Sequence, residues 1–307
     1  MTANRKTRRI PPPRTRNPLV ALIVGIGLAA GQLAEARAGI APPPAPQTLV
    51  YGSDPVQAID FYEPLPAAQS GASPLIVFVH GGAWSMGSRE NATGNAKIVH
   101  FTSKGIAFAT IGYRLVPDSR VEDQASDVAH AIARLLAEAE RLHIDRRRVI
   151  LMGHSAGAHL VALVGTDPRW LDATGLSFAA LRGVVAIDGA AYDVPEQLRA
   201  GAPLMRSLYR QAFGDDPERQ QALSPLRQSN APNAANWLLL HVDRPDGTRQ
   251  TEALAAALRR AGSSVDVVAL PGQGLSGHVA SNRRLGIPDY PGTKAVDDWL
   301  DRVLATP

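Results

Sequence analysis

The sequence contains no cysteine, only 5% aromatic residues, and no apolar run long enough to span a bilayer comfortably. The missing cysteine excludes disulfides, thiolate metal sites and a cysteine nucleophile, while leaving the cellular compartment open. None of the eight histidines falls in an HExxH pattern or another cluster with metal-ligand spacing, so no metal is expected.

A real excess of positive charge is also missing, although the formal net charge is +4. Much of the basic character lies in residues 1–38, where Arg5, Lys6, Arg8, Arg9, Arg14 and Arg16 precede the apolar stretch Leu19–Ala30 and the small-x-small triplet Ala36-Arg37-Ala38. That order reads as a secretory signal peptide, with an uncleaved membrane anchor as the alternative. Without this leader the 32 Lys/Arg and 28 Asp/Glu become 25 and 27, a net charge of about −2. No basic surface with interleaved aromatics remains, which excludes nucleic acid as a partner. The expected mature protein is secreted or periplasmic, with no stable membrane insertion. Residues 39–47 read as a Pro/Ala-rich linker, and 48–307 suit one large α/β domain.

Two motifs carry chemistry. Arg148–Met152 is a strand-like run followed by Gly153-His154-Ser155-Ala156-Gly157 and a small-residue helix. Strand, Gly-x-Ser-x-Gly turn and helix form a nucleophile elbow, in which Ser155 occupies a strained turn and the glycines let strand and helix pass closely. Some seventy residues earlier, the apolar run Pro74–Val79 ends in His80-Gly81-Gly82-Ala83-Trp84. Backbone N–H groups of such a loop can stabilise an oxyanion, and Gly82, Ala83 and Ala156 are the expected donors.

Together these motifs resemble the α/β-hydrolase superfamily, and within it the HGG-type carboxylesterases, a branch that includes hormone-sensitive-lipase-like, feruloyl-esterase-like and kynurenine formamidase-like proteins. The resemblance covers the chain from about residue 47 onward. It implies an α/β-hydrolase fold and a triad in the order Ser, Asp or Glu, His.

Strand signals recur at Thr48–Tyr51, Ala58–Tyr62, Leu75–Val79, Ile106–Tyr113, Arg148–Met152, Gly183–Ile187, Trp237–Val242 and Val265–Leu270. Helical patterns lie between the later ones, notably Val121–Leu142 and Thr251–Arg260. Alternating strands and helices predict a mostly parallel eight-stranded sheet flanked by helices. The Pro-rich interruption 189–236 follows the sixth strand, the place of a small cap.

For the triad acid, the resemblance favours Asp243 at the end of the seventh strand, because it precedes Gln250 by seven residues and Gly262 by nineteen. Relatives usually read His-Gly-x-x-Asp here, whereas this chain has the shorter His241-Val242-Asp243. Asp246, in Pro245-Asp246-Gly247, reads as a turn residue, and Asp188 after the sixth strand is a third candidate. His278 is the expected base, returned towards Ser155 by the loop Pro271–Gly277. Trp84 and Tyr192 are candidate pocket walls, with Met86, Met205, Leu208 and Tyr209. The expected reaction is cofactor-free hydrolysis of a short-acyl or aryl ester, a small molecule, through an acyl-enzyme. A formamidase-type amide hydrolysis with the same triad is the second reading, and a non-catalytic binding member of the fold is the third.

Overall fold

The computed structural model describes residues 42–65, 71–201 and 203–305. The leader 1–38 lies outside them, so its reading as a signal peptide rests on sequence alone. Eight strands form one sheet: β1 (Gln47–Val50), β2 (Ala58–Tyr62), β3 (Ser73–Val79), β4 (Ala107–Ile111), β5 (Ile144–His154), β6 (Gly183–Ile187), β7 (Asn236–Asp243) and β8 (Ser264–Gln273). Their spatial order is β1-β2-β4-β3-β5-β6-β7-β8. Only the β1–β2 and β2–β4 pairs are antiparallel, and the rest of the sheet is parallel. The eight strand signals are all recovered, with ends shifted by a few residues.

The central strands are apolar on both faces because both faces are covered. From β3, Leu75, Val77 and Val79 enter one cluster together with residues of α2 (Val121–Ala137) and α3 (Ala156–Thr166). Ile76 and Phe78 point the other way, into a cluster with α1 (Asn95–Ser103) and α11 (Pro291–Ala305). Alternation along one strand thus feeds two cores. The remaining helices are α4 (Arg169–Asp172), four short cap helices α5 (Val194–Ala200), α6 (Pro203–Phe213), α7 (Pro217–Ala222) and α8 (Pro225–Gln228), then α9 (Pro245–Arg260) and α10 (Gly274–Arg283). Among the described residues, no helix is long and apolar enough to cross a membrane.

Two expectations need correction. The helix predicted over Val121–Leu142 ends at Ala137, and the chain turns through the left-handed His143 (φ 51°) into β5. The predicted loop Pro271–Gly277 is instead the end of β8 and the first turn of α10, so His278 sits on a helix. Gly272 (φ 113°) and Gly274 (φ 53°) make the sharp junction that a strand-to-helix change without a loop requires.

The cap is tied down from several sides. Asp193 caps α5 by accepting the Glu196 N–H, and its own N–H donates to Gln250 Oε1 at 2.9 Å. Gln250 Nε2 donates to Gln197 Oε1, joining α9 to α5. Arg219 of α7 grips Glu122 of α2 through two bonds of 2.7 Å.

The elbow permits no side chain at Gly157. A Cβ there would lie 2.1 Å from the Val79 carbonyl oxygen and 2.6 Å from that of His80, and backbone cannot yield as a side chain can. Gly157→Ala is therefore expected to lower stability by about 2 kcal/mol or more and to abolish activity, the reverse of the usual gain from Gly→Ala within a helix. Urea unfolding checks it: an unchanged or raised midpoint contradicts this packing.

Candidate active site

Ser155 stands between β5 and α3 with φ 57° and ψ −118°, the strained geometry of an elbow. Its N–H donates to the Ile187 carbonyl at 3.0 Å, which locks the turn against the end of β6. His278 reaches back from α10, and its Nε2 lies 3.0 Å from Ser155 Oγ. On the other side of the ring, Nδ1–H donates to Asp188 Oδ2 at 2.6 Å. Ser155 Oγ, the His278 ring and the Asp188 carboxylate are in line.

The carboxylate in that line is not Asp243. Asp243 is exposed at the mouth of the cleft and accepts a hydrogen bond from Gln273 Nε2 at 3.1 Å. The physical reason is the shortened turn: Asp243 is still paired with Gln273 in the β7–β8 ladder, and Pro245 begins α9 two residues later. No loop remains to swing its carboxylate to His278. Asp246 is not a turn residue either, because it lies in the first turn of α9 and accepts the Gln197 side-chain N–H.

Asp188 is fully buried beside the elbow, since β6 neighbours β5 in the sheet. Its N–H donates to Leu240 O at 2.7 Å, and its Oδ1 accepts the Val242 N–H at 3.2 Å. Burial opposes its ionisation. The His278 hydrogen bond and charge, the Arg244 guanidinium and the Val242 N–H outweigh that and hold the carboxyl down at about 2. A usable signal was present in Ile187-Asp188-Gly189, an acid immediately at the end of a buried strand.

Backbone strain marks the same place. Among the described residues, six non-glycine residues have positive φ, and five of them (Ala83, Trp84, Ser155, Asp188 and Ala191) surround this site. Ala83 and Trp84 belong to the glycine-rich loop, which is braced by Tyr113 Oη–H to His80 O (2.8 Å) and Gln124 Nε2 to Trp84 O (2.7 Å). Gly81 is pressed so close that a Cβ there would be 3.1 Å from Ser155 Cβ. Among the described residues, no protein acceptor is found for the backbone N–H of Gly82, Ala83 or Ala156. All three border the cleft with Ser155.

That cleft has a volume of about 850 Å³. Trp84, Met86, Met205, Leu208 and Tyr209 line it as the sequence suggested, but Tyr192 does not. Tyr192 is wholly buried beneath Asp188, with its hydroxyl against Gly189, because the left-handed turn at Ala191 directs it inward. Polar side chains at the mouth include Asp243, Asp246, Gln273 and Arg283.

Three further histidines support this arrangement. His154 Nε2–H donates to the His278 carbonyl at 3.0 Å, and the two rings lie 4.5 Å apart. His159 accepts the Trp84 indole N–H at 3.3 Å and donates to Leu223 O at 2.8 Å, joining loop, elbow helix and cap. Burial pushes His80 and His159 down to about 4 and His154 well below its ordinary value.

The first half of the domain matches the family model described as BD-FAE, over residues 59–180. Esterase LipC of Mycobacterium tuberculosis is 30% identical over 267 residues, spanning 83% of this chain and 64% of LipC. The chain thus covers under two thirds of that relative's own length. Kynurenine formamidase of Danio rerio is 29% identical over 225 residues, spanning 71% of each chain. A truncated carbohydrate esterase from gut microbiota superposes with a TM-score of 0.71 at 18% identity, covering 87% of this chain and all of that one.

Buried neutral histidines predict the direction of acid sensitivity. Between pH 6.5 and about 4 the unfolded chain binds protons that folded His80 and His159 refuse, so stability is full above pH 6.5 and declines as pH falls through that window. Asp188 extends the decline from about pH 4 towards 2. Calorimetry from pH 7.5 to 4 checks this, and a flat Tm contradicts it. In strand order, elbow and glycine-rich loop the chain has an α/β-hydrolase fold, and its sequence is similar to the BD-FAE family model over residues 59–180 and to esterases such as LipC.

Proposed function

We propose that the protein is a serine carboxylic-ester hydrolase acting on short-acyl or aryl esters. The observation that carries this reading is the continuous line Ser155 Oγ, His278, Asp188, with spacings of 3.0 and 2.6 Å, beside three backbone N–H groups that have no acceptor among the described residues. As Ser155 Oγ attacks the ester carbonyl carbon, His278 Nε2 takes its proton and Asp188 stabilises the resulting imidazolium. Negative charge gathers on the carbonyl oxygen, where the N–H groups of Gly82, Ala83 and Ala156 stabilise it. His278 then protonates the departing alkoxide, leaving an acyl-enzyme. Water, deprotonated by the same ring, releases the acid and restores the serine.

The short-acyl preference rests on the cap, which among the described residues consists of helices of only four to eleven residues. Trp84 is fixed as a wall by edge-on packing against Phe213 (ring centroids 4.8 Å apart) and His159 (5.3 Å). The similarity to kynurenine formamidase supports a second reading, hydrolysis of an aryl formamide, since that reaction develops the same oxyanion. The basic, apolar, small-x-small leader supports an exported protein.

Ser155→Ala is expected to reduce kcat by about a thousandfold or more while leaving the unfolding midpoint nearly unchanged. Retention of more than about a hundredth of the activity removes the nucleophile assignment. Asp188→Asn should lose a comparable factor through the wrong imidazole tautomer, while Asp243→Asn stays within a few-fold of the parent. A crippled Asp243→Asn beside an active Asp188→Asn would reverse the two roles.

Across p-nitrophenyl esters, kcat/KM should fall steeply beyond about six to eight acyl carbons. Matched ester and formanilide substrates decide between the two readings. Efficient turnover of emulsified long-chain triglycerides contradicts the short-acyl assignment.

A further inference from the structure

Arg244 leaves the end of β7 and folds back over the Asp188 carboxylate. Its Nε lies 3.2 Å from Asp188 Oδ2 and its Nη2 lies 3.3 Å from Oδ1. Nη2 also donates to the carbonyls of Asp188 (3.4 Å) and Gly189 (3.3 Å), so the guanidinium spans the whole strand end. Its side chain is only 17% exposed. Asp188 is therefore gripped from β7 by Arg244 and the Val242 N–H, and from α10 by His278.

The place for this guanidinium is made by Gly247. A Cβ at that position would stand 2.9 Å from Arg244 Nη2, 3.3 Å from Cζ and 3.4 Å from Nε, and these are its three nearest neighbours. Gly247 lies in the first turn of α9, where glycine costs roughly 0.5–1 kcal/mol relative to alanine. The helix gains nothing from the glycine. The arginine does.

We propose, building on the serine-hydrolase reading, that Arg244 is a positioning residue: seated on Gly247, its guanidinium fixes the Asp188 carboxylate towards His278 Nδ1 and offsets part of its charge. The shortened β7 turn that carries Asp243 out of the line thus brings in a cation to hold the acid standing on β6. Without Arg244 a bare buried carboxylate would face the ring, and the acidic limb of the kcat/KM profile is expected at higher pH.

Other charged or titratable groups reach this pair from β5 (His154), the turn after β6 (Tyr192), α6 (Tyr209) and the segment before α11 (Tyr290), with Lys97 of α1 acting through His154. Asp246 acts on Tyr209, and Asp243 and Arg283 stand at the cleft mouth. Burial pushes the three tyrosines up, so they stay neutral from pH 5 to 8, and it pushes His154 down, favouring its neutral ring.

The test measures kcat, KM and Tm for Arg244→Gln, Arg244→Lys, Gly247→Ala and Ser155→Ala, using p-nitrophenyl acetate from pH 5 to 9. Arg244→Gln is expected to lower kcat roughly ten- to a hundredfold at nearly constant KM and to raise the acidic limb by about half to one pH unit. Arg244→Lys should keep the limb near its original position while recovering only part of kcat, because an ammonium cannot reproduce the fork. Gly247→Ala keeps the charge but displaces the guanidinium. Its Tm should hold or rise while its kcat loss and limb shift follow those of Arg244→Gln, and the double variant should be no worse than the worse single one.

Parental kcat and limb in Gly247→Ala overturn the proposal, as does an Arg244→Gln effect confined to KM, which would make Arg244 a substrate contact. Should Arg244→Gln fail to fold, Gly247→Ala decides alone. A dead Ser155→Ala beside unaffected Arg244→Gln and Gly247→Ala sinks only the positioning role, whereas an active Ser155→Ala sinks the hydrolase reading and this inference with it.

Discussion

The 2.6 Å hydrogen bond from His278 Nδ1–H to Asp188 joins residues ninety positions apart in sequence, and most of the site's construction serves to hold its two ends. Asp188 and Ser155 follow neighbouring parallel strands and are tied directly by the Ser155 N–H to the Ile187 carbonyl. Their relative position is therefore a property of the sheet. His278 alone comes from outside it, on α10, and α10 is correspondingly restrained: His154 donates to the His278 carbonyl, the buried Lys97 ammonium donates to Asn282 O, and Asn282 Nδ2 donates to Ala92 O. His278 is held by main-chain contacts on a rigid element, 3.0 Å from Ser155 Oγ, as the proposed role of general base requires.

Strain and burial are concentrated around that bond. Left-handed φ at Ser155 and at Asp188 costs on the order of 1–3 kcal/mol each and persists only where surrounding contacts over-determine it. Both residues end buried strands and have their N–H groups captured by a neighbouring strand end, Ser155 by Ile187 and Asp188 by Leu240. The same logic applies to the glycine-rich loop, where Ala83 and Trp84 are left-handed and the Trp84 carbonyl accepts from both Val116 N–H and Gln124 Nε2. Sheet and helices thus supply the stability that the site's backbone lacks.

These differences in constraint explain what could be read from the chain. Strands, elbow and glycine-rich loop were legible because each is local: a run of apolar residues, a glycine where a side chain cannot fit, a serine at a turn. Ser155 and His278 were expected on that grammar, and the structure brings them within 3.0 Å of each other. The acid does not follow from it, because its identity depends on which of two strand ends faces the imidazole, a matter of register and turn length across β6, β7 and β8. The spacing from Asp243 to Gln250 matched the family, yet in the structure Gln250 is a buried strut that holds the cap through Asp193 and Gln197, whatever the acid. A conserved-looking spacing can record packing and still mislead about chemistry. Tyr192 failed for a related reason, since the direction of one side chain after a left-handed residue is set by three-dimensional context.

The cap illustrates how the neutral histidines bind the site to its surroundings. His159 accepts from the Trp84 indole and donates to Leu223 O, and only the neutral tautomer protonated on Nε2 can do both. The ring therefore reads the positions of loop, elbow helix and cap together, and burial keeps it in that state. With α5 joined to α9 through Gln197 and Gln250, and α7 joined to α2 through Arg219, the cap is a fixed wall of the cleft. Leu275 stands exposed beside Gln273 and Asp243 on the lining of the same cleft, at the start of α10. The first helical turn that carries His278 thus also lines the cleft, and Gly274, left-handed at the junction with β8, shapes both.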